Sequence, residues 1–588
     1  MRSLSKAVAL LLAMILMAAA LGGCVPGQKK ETAPTTPTTP TTPAATASGP
    51  KTGGIFRTYV FNPTSLDPAF WTWGSHITRM GLLEGLVRYD AKLQAAPAVA
   101  EKWESNADKT VWKFSLRKNA KWSNGDPVTA KDFEYSLKRV IDPATSAGGS
   151  GSYQGNAEIK NAEQFRKGEI KDINQVGVKA LDDYTLEITL AKGNATFPIR
   201  LAEPWAMPAH KATVEKFGKD FIKPGNYVSN GPFMLKSWTI NTDMELVRNP
   251  NYWGKVYLDG VKMMMTAANV IAYESNEVDM VEVGAQDIDR ILKDPNLSKE
   301  LTQAPTGTLT SFFNLRSANP IMEDIRVRQA LAMSFDRDKI VKAVGRGTVG
   351  AAYSTVPPVV ATWSKEVGLG YDVAKAKKLM ADAGYPDGKG FPEMTLMVSY
   401  QGDVDPVIMA VVDEWKNNLG IKVKVDNAEW GLHTKNRIEL LPKETAGFFT
   451  NANNAGFPGL SAYFAGLFDP NDWGLKGAQW GEFRKLQTDP KIDASQRAKL
   501  LEDFKVANAS PEAKQYKDLL DKAGKETDAA KQEAIYKEAA KLRDSLAYVI
   551  PISYINSVRL IKPYVKGYAP NAFLLGHPLY WNDLWLDK

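Results

Sequence analysis

Cysteine is almost absent: Cys24 is the only thiol in 588 residues. An intramolecular disulfide is therefore excluded, and so is any zinc or iron–sulfur site built on clustered thiolates. Histidine is scarce as well. His76, His210, His433 and His577 are scattered, with no HExxH spacing, so a zinc hydrolase is disfavoured and no metal or cofactor is expected. Charge of one sign is not concentrated: the formal net charge is +7, without a Lys/Arg-rich run, which argues against nucleic acid as a partner. The chain has no P-loop, no GxSxG elbow and no dinucleotide fingerprint. After residue 24 no apolar run is long enough to span a bilayer. What remains is ordinary globular composition, 44% hydrophobic and 24% charged, which excludes a disordered or collagen-like chain. The length suggests about three or four domains.

The N-terminus reads as an address. Arg2 and Lys6 form a positive start, Ala7 to Leu21 an apolar run too short for a comfortable membrane span, and Gly22-Gly23-Cys24 a small-residue exit. This resembles the bacterial lipobox, which implies that residues 1–23 are a signal peptide and that Cys24 carries a lipid anchor. Residues 24–50 are low complexity, with TTP at Thr35–Pro37, Thr38–Pro40 and Thr41–Pro43. Proline fixes φ and the segment has no apolar face to pack, so it reads as an extended tether reaching up to roughly 80 Å.

From Gly53 the texture becomes that of a folded body. Gly53-Gly54 followed by Ile55 to Val60 predicts a turn and an edge strand. Val111 to Leu116 and Leu186 to Leu190 alternate apolar and polar residues, the second after an Asp182-Asp183 turn. Thr129 and Asp132 stand at capping-box spacing before a helix with Phe133, Leu137, Val140 and Ile141 on one face. Asp372 starts a helix with Val373, Ala376, Leu379, Met380 and Ala383 inward, stopped by Gly384. Ile325 to Val344 reads as a third helical region, with Val327, Leu331 and Ile340 as core. Ser495 to Leu546 suggests two or three amphipathic surface helices. Strands and helices intermix, so the class is α/β with more than one lobe.

Several blocks then carry a family likeness: Leu66-Asp67-Pro68, Gly85 to Asp90, Ala100-Glu101-Lys102-Trp103, Trp112 to Arg117, Lys121 to Ala130, Asn230-Gly231-Pro232-Phe233, Arg248 to Trp253, Asp324 to Ala330, Asp336-Arg337, Ala383-Gly384-Tyr385-Pro386 and Val549-Ile550-Pro551-Ile552. In this order they resemble family 5 of the bacterial extracellular solute-binding proteins, and within it the oligopeptide binders of ABC importers. The resemblance implies a two-lobed periplasmic-binding-protein fold (type II, three-domain oligopeptide-binding type) with a hinge and an interlobe cleft. Domain I would comprise 51–95, 225–316 and 548–588, domain II 96–224 and domain III 317–547. The implied partners are an oligopeptide, the permease subunits of an ABC transporter and, through the lipid, a membrane on its extracytoplasmic face, periplasmic or cell surface. A monomer is expected, and no enzyme activity.

A receptor for many peptides pairs with the shared backbone and leaves side chains in roomy, hydrated pockets. Of the fifteen tryptophans, Trp103, Trp112, Trp122 and Trp253 are assigned to packing. Trp71 and Trp73, at alternate positions of an extended stretch, point the same way; the resemblance makes them cleft candidates, and packing in the core stays equally open. It also places Trp430 in the pocket and Tyr554 as a weaker candidate. Arg437 has the fork to grip a carboxylate, though a surface ion pair fits equally well. Peptide binders of the family carry an aspartate shortly before a proline, paired with the peptide's α-ammonium. Here the stretch reads Asn451-Ala452-Asn453-Asn454-Ala455-Gly456-Phe457-Pro458, and Asn454 stands in the acid's place. An amide accepts a hydrogen bond from an ammonium but does not neutralise it. Asp469 could serve instead, the cargo could be blocked or internal peptide, or it could be no peptide at all. Plain asparagine turns are the simpler reading. Trp480 to Ala507 looks like an added helical hairpin.

Alternatives stay open at this point. The same scaffold could bind a dipeptide, a sugar oligomer or a nickel complex, nickel being disfavoured by the scattered histidines. A surface-tethered enzyme such as a glycosidase would need a carboxylate pair, which composition permits. A signalling receptor or adhesin would need a contact surface that the sequence does not identify.

Overall fold

The computed structural model describes residues 49–588 except 61, 71–75, 147–157, 266–268, 315–319, 400–403, 430–431, 434–446, 450–458, 465–481, 483–484, 487–488, 490, 493–499, 502, 505–506, 508, 527 and 570–579. The expected edge strand is Ile55–Tyr59. It pairs in parallel with Gly260–Met264, which continues antiparallel through Asp243–Arg248 to Phe233–Thr239. Gly53 and Gly54 lead into it at φ of +127° and +84°, backbone that a Cβ resists.

A second sheet, wholly antiparallel, orders Ala100–Ser105, Val111–Leu116, Thr185–Thr189 and Val178–Asp182. Trp112, Phe114 and Leu116 alternate inward, as a period of two dictates. Helix Ala130–Ile141 packs on this sheet through Phe133, Leu137, Val140 and Ile141. Its capping box is present: the Thr129 amide donates to Asp132 Oδ2 at 2.7 Å, and Asp132 replaces the more common Glu.

A third sheet has Met394–Val398 at its centre, parallel to Val423–Asn427 and Gly447–Phe449. Parallel neighbours need a crossover, and helix Pro406–Leu419 supplies it between the first two. Its Trp415 is fully buried and packs against Phe313, ring centroids 4.6 Å apart. Helix Val373–Asp382 begins on the Asp372 carboxylate, which accepts from the Lys375 amide at 2.9 Å, and Gly384 follows at φ +97°.

The region Ile325 to Val344 is broken rather than continuous. Helix Ile325–Met333 ends at Ser334, and Asp336 caps a new short helix, Arg337–Ile340, by accepting from the Lys339 amide at 3.0 Å. An Asp side chain competes for backbone donors, so it favours a fresh start over an interior position. Two C-terminal helices, Pro511–Lys525 and Ala529–Leu546, match the amphipathic expectation but are not mere surface cover. Tyr516, Ala523, Ile535, Tyr536, Ala539 and Ala540 bury one face in a shared core. The Trp480–Ala507 stretch lies largely outside the described residues.

Two long antiparallel strands, Leu301–Asn314 and Val549–Ile561, run through the middle. The second contributes to every hydrophobic cluster: Ile561 to one, Ile550 and Ile552 to the next, Val549 and Tyr554 to a third, Val558 and Leu560 to the last. Their pairing slips between Pro305 and Phe312, where β-bulges interrupt an otherwise regular register.

Buried arginines tie distant segments together. Arg328 donates to the carbonyls of Leu546 at 2.8 Å and Met322 at 2.6 Å, and so satisfies the end of helix Ala529–Leu546. Arg337 donates to the carbonyls of Pro551 and Ala332 at 2.9 and 3.0 Å, with its guanidinium over the Phe335 ring at 4.3 Å. Burial pulls its pKa down to about 10.

Candidate functional site

A cleft of 1130 Å³ opens between two parts of the chain. Residues 92–200 supply one wall and residues 359–536 the other. The floor of the first wall is the second sheet, whose Trp103 and Trp112 border the cleft from paired strands. Trp112 is only 6% exposed and its indole donates to the Lys109 carbonyl at 3.2 Å. These two indoles therefore both pack and line. Trp122, by contrast, is fully buried, and Trp253 is half-buried against the same core.

Above the indoles lies the loop 191–196. It is pinned to the neighbouring hairpin by Asn194 N to Lys109 O at 3.1 Å and Leu190 N to Thr110 O at 2.7 Å. Gly193 is required there, because a Cβ would come within 2.1 Å of the Asp108 carbonyl. Asn194 of the loop joins an ion pair in the wall. Arg200 Nη1 meets Glu158 Oε1 at 2.8 Å, and Asn194 Nδ2 donates to Glu158 Oε2 at 2.8 Å. Both carboxylate oxygens are thus engaged.

The opposite wall is aromatic and comes from the 459–463 turn and the two C-terminal helices. Tyr463 is 4% exposed and its hydroxyl donates to the Gly307 carbonyl at 2.9 Å. Gly307 lies within the bulged stretch of the Leu301–Asn314 strand, so a cleft residue is bonded directly to that irregularity. Burial pushes the Tyr463 hydroxyl well above its ordinary range. Burial also raises Tyr536, while the Ser461 hydrogen bond and Arg200 pull the other way. Arg543 holds the turn by donating to the Tyr463 carbonyl at 3.0 Å, and pairs with Asp544 at 2.8 Å.

Of the residues singled out in the sequence, Cys24, Trp71, Trp73, Trp430, Arg437, Asn451, Asn453, Asn454 and Asp469 lie outside the described residues. Tyr554 is described, and it faces the core. It is 4% exposed, with its hydroxyl between the carbonyls of Ser354 and Val356, and it is not among the residues bordering this cleft. Position 554 falls on the inward phase of a strand packed on both sides, so the core takes it. The pattern missed Glu158, Asn194, Arg200 and Tyr536. The pairing of Arg200 with Glu158 joins two separate segments of one wall and leaves no periodic trace. Among the described residues no cluster of three or more His, Cys, Asp or Glu could hold a metal ion, and no helix is long and apolar enough to cross a membrane.

Comparison with known proteins adds relatives to this geometry. Residues 94–474 match the family described as bacterial extracellular solute-binding proteins, family 5 Middle. The chain is 32% identical over 509 residues to the periplasmic oligopeptide-binding protein OppA of Escherichia coli, covering 84% of this chain and 85% of that one. Among solved structures, the murein tripeptide binding protein MppA of Escherichia coli superposes with a TM-score of 0.69 at 28% identity, over 92% of this chain and 99% of that one. OppA of Haemophilus influenzae, in complex with RPPGFSPFR, gives 0.69 at 25% identity and the same coverage.

Proposed function

The chain belongs to family 5 of the bacterial extracellular solute-binding proteins, with their α/β, type II periplasmic-binding-protein fold, and from that premise we propose that it captures oligopeptides in the cleft and delivers them to the permease of an ABC transporter. The cleft volume carries this reading. At 1130 Å³ it exceeds the roughly 300–1,000 Å³ of ordinary small-molecule sites and suits a chain-like cargo. Its lining mixes indole and phenol rings with amide and charged groups, which accept varied side chains through water.

The domain plan proposed from sequence fits this use. Residues 51–95, 225–316 and 548–588 form domain I, 96–224 domain II, and 317–547 domain III. The cleft then separates domain II from domain III, and the lobes close about the bulged strands near Gly307. Trp71, Trp73, Trp430, Arg437 and the Asn451–Asn454 stretch are proposed as further cargo contacts. Cys24 is proposed as the lipid attachment point, holding the protein on the extracytoplasmic face. The protein performs no chemistry in this reading; it binds and releases.

The test is native mass spectrometry of protein purified gently from its host, followed by thermal shift with peptides of varied length. Trapped peptide and a melting temperature that rises with peptide concentration are the expected results. No shift across any peptide length would refute the reading.

A further inference from the structure

Among the described residues, the two acids that border the cleft are already paired within their own walls. Glu158 is held by Arg200 and Asn194, both at 2.8 Å. Asp521 is held by Lys517, one helical turn earlier, at 3.1 Å. Among the described residues, three lysines border the same cleft with no carboxylate in ion-pair distance: Lys92 and Lys192 on one wall, Lys525 on the other. All three are exposed. The described lining therefore presents unpaired positive charge from both sides, over an aromatic floor.

We propose that this part of the cleft selects cargo with acidic side chains, the cargo carboxylates bridging Lys92 and Lys192 to Lys525. The proposal rests on the peptide-binding reading above and names the class of peptide. Two physical effects support it. A cleft lined by one sign of charge between low-dielectric walls focuses its field and concentrates ligands of the opposite sign. Like charges on facing walls also oppose their approach, and an anion placed between them reverses that sign. An acidic peptide thus favours closure as well as entry, whereas a neutral peptide gains neither. Because the lysines are exposed, each contact is screened, and salt weakens it.

The test uses the full chain and a pair of probes: a glutamate-rich peptide and its glutamine counterpart of equal length, both with free termini. Affinities are measured by calorimetry at low and high salt for the wild type and for Lys92→Gln, Lys192→Gln, Lys525→Gln and the triple variant. Surface lysines with no partner leave folding intact, which a melting curve checks. The expected result is tighter wild-type binding of the glutamate peptide at low salt. Each substitution should weaken that peptide by roughly two- to fivefold and leave the glutamine peptide unchanged. Equal affinity for the two peptides, or equal losses for both on substitution, overturns this proposal while leaving peptide binding in place. Binding of neither peptide overturns the peptide reading, and this proposal falls with it.

Discussion

Arg139 grips Asp67 with both arms of its guanidinium, Nη1 to Oδ1 at 2.8 Å and Nη2 to Oδ2 at 2.6 Å, across 72 residues of chain. The pair joins the stretch after the first strand to the last turn of helix Ala130–Ile141, and both side chains are largely withdrawn from water. A second buried pair works in parallel: Arg79 meets Glu203 at 2.9 Å, and the Tyr89 hydroxyl donates to the same carboxylate. Two such clamps tie the 51–95 and 96–224 stretches of chain to each other.

Removing one member of a buried pair strands the other. Arg139→Ala is expected to cost about 3–5 kcal/mol in chemical denaturation, because Asp67 is left charged without its partner. The double change Asp67→Leu with Arg139→Met should recover most of that loss, since well-packed apolar replacements of a buried pair are often neutral. A double variant no better than Arg139→Ala would show that the pair's shape, not its charge, holds the segments.

Asp324 caps helix Ile325–Met333 by accepting from the Arg326 amide at 2.9 Å, and its carboxylate is forked by the Arg326 guanidinium. That hydrogen bond holds its pKa below the ordinary aspartate value of 3.8. A depressed carboxylate contributes stability that is present above its unfolded pKa and lost as pH falls through the folded one. Asp324→Ala should cost about 1 kcal/mol at neutral pH. The gap between the variant and wild type should narrow as the pH is taken below 3.8. An unchanged gap in acid would assign the effect to helix propensity alone.

Tyr463 links cleft wall to bulge through its bond to the Gly307 carbonyl. Tyr463→Phe keeps the ring and removes the donor. Unfolding free energy should fall by about 0.5–1.5 kcal/mol. The sharper readout is shape: small-angle scattering should show a smaller difference between empty and cargo-loaded protein if the bulge loses its tie to the wall. An unchanged difference would make the bond structural only.

What the sequence made legible was local. The Thr129–Asp132 box, the Asp372 start and the Gly384 stop each depend on residues a few positions apart, and each is where the pattern put it. The break at Asp336 was missed because apolar spacing continues through Val327, Leu331 and Ile340 while a single capping carboxylate divides the helix. At the cleft, Trp103 and Trp112 were assigned to packing, and they do pack, yet the same rings border the cavity. Burial and lining are not alternatives for a large ring with two faces. The facing lysines depend on walls brought together from more than 300 residues apart, and the Glu158–Arg200 pair on two separate segments of one wall. No window of sequence carries that distance.

Cys24 is proposed as the lipid attachment point from its position in the sequence alone. Burying two acyl chains gives stable anchoring where a single chain is marginal. Cys24→Ser should therefore abolish labelling by a radioactive fatty acid and shift the protein from the membrane to the soluble fraction of cells. Continued labelling of the variant would place the lipid elsewhere.

Asn454 takes the place of an acid in the resemblance to peptide binders, and its consequence is a matter of charge. An ammonium taken out of water needs a counter-charge, because an unpaired buried charge is costly. An amide offers one acceptor and no charge. Asn454→Asp should therefore strengthen a free peptide terminus by about tenfold, or ~1.4 kcal/mol, with little change for the acetylated form of the same peptide. Calorimetry with both forms checks this. A gain shared by both forms would mean that position 454 meets the cargo backbone or another wall of the cleft, and that the terminus is neutralised elsewhere.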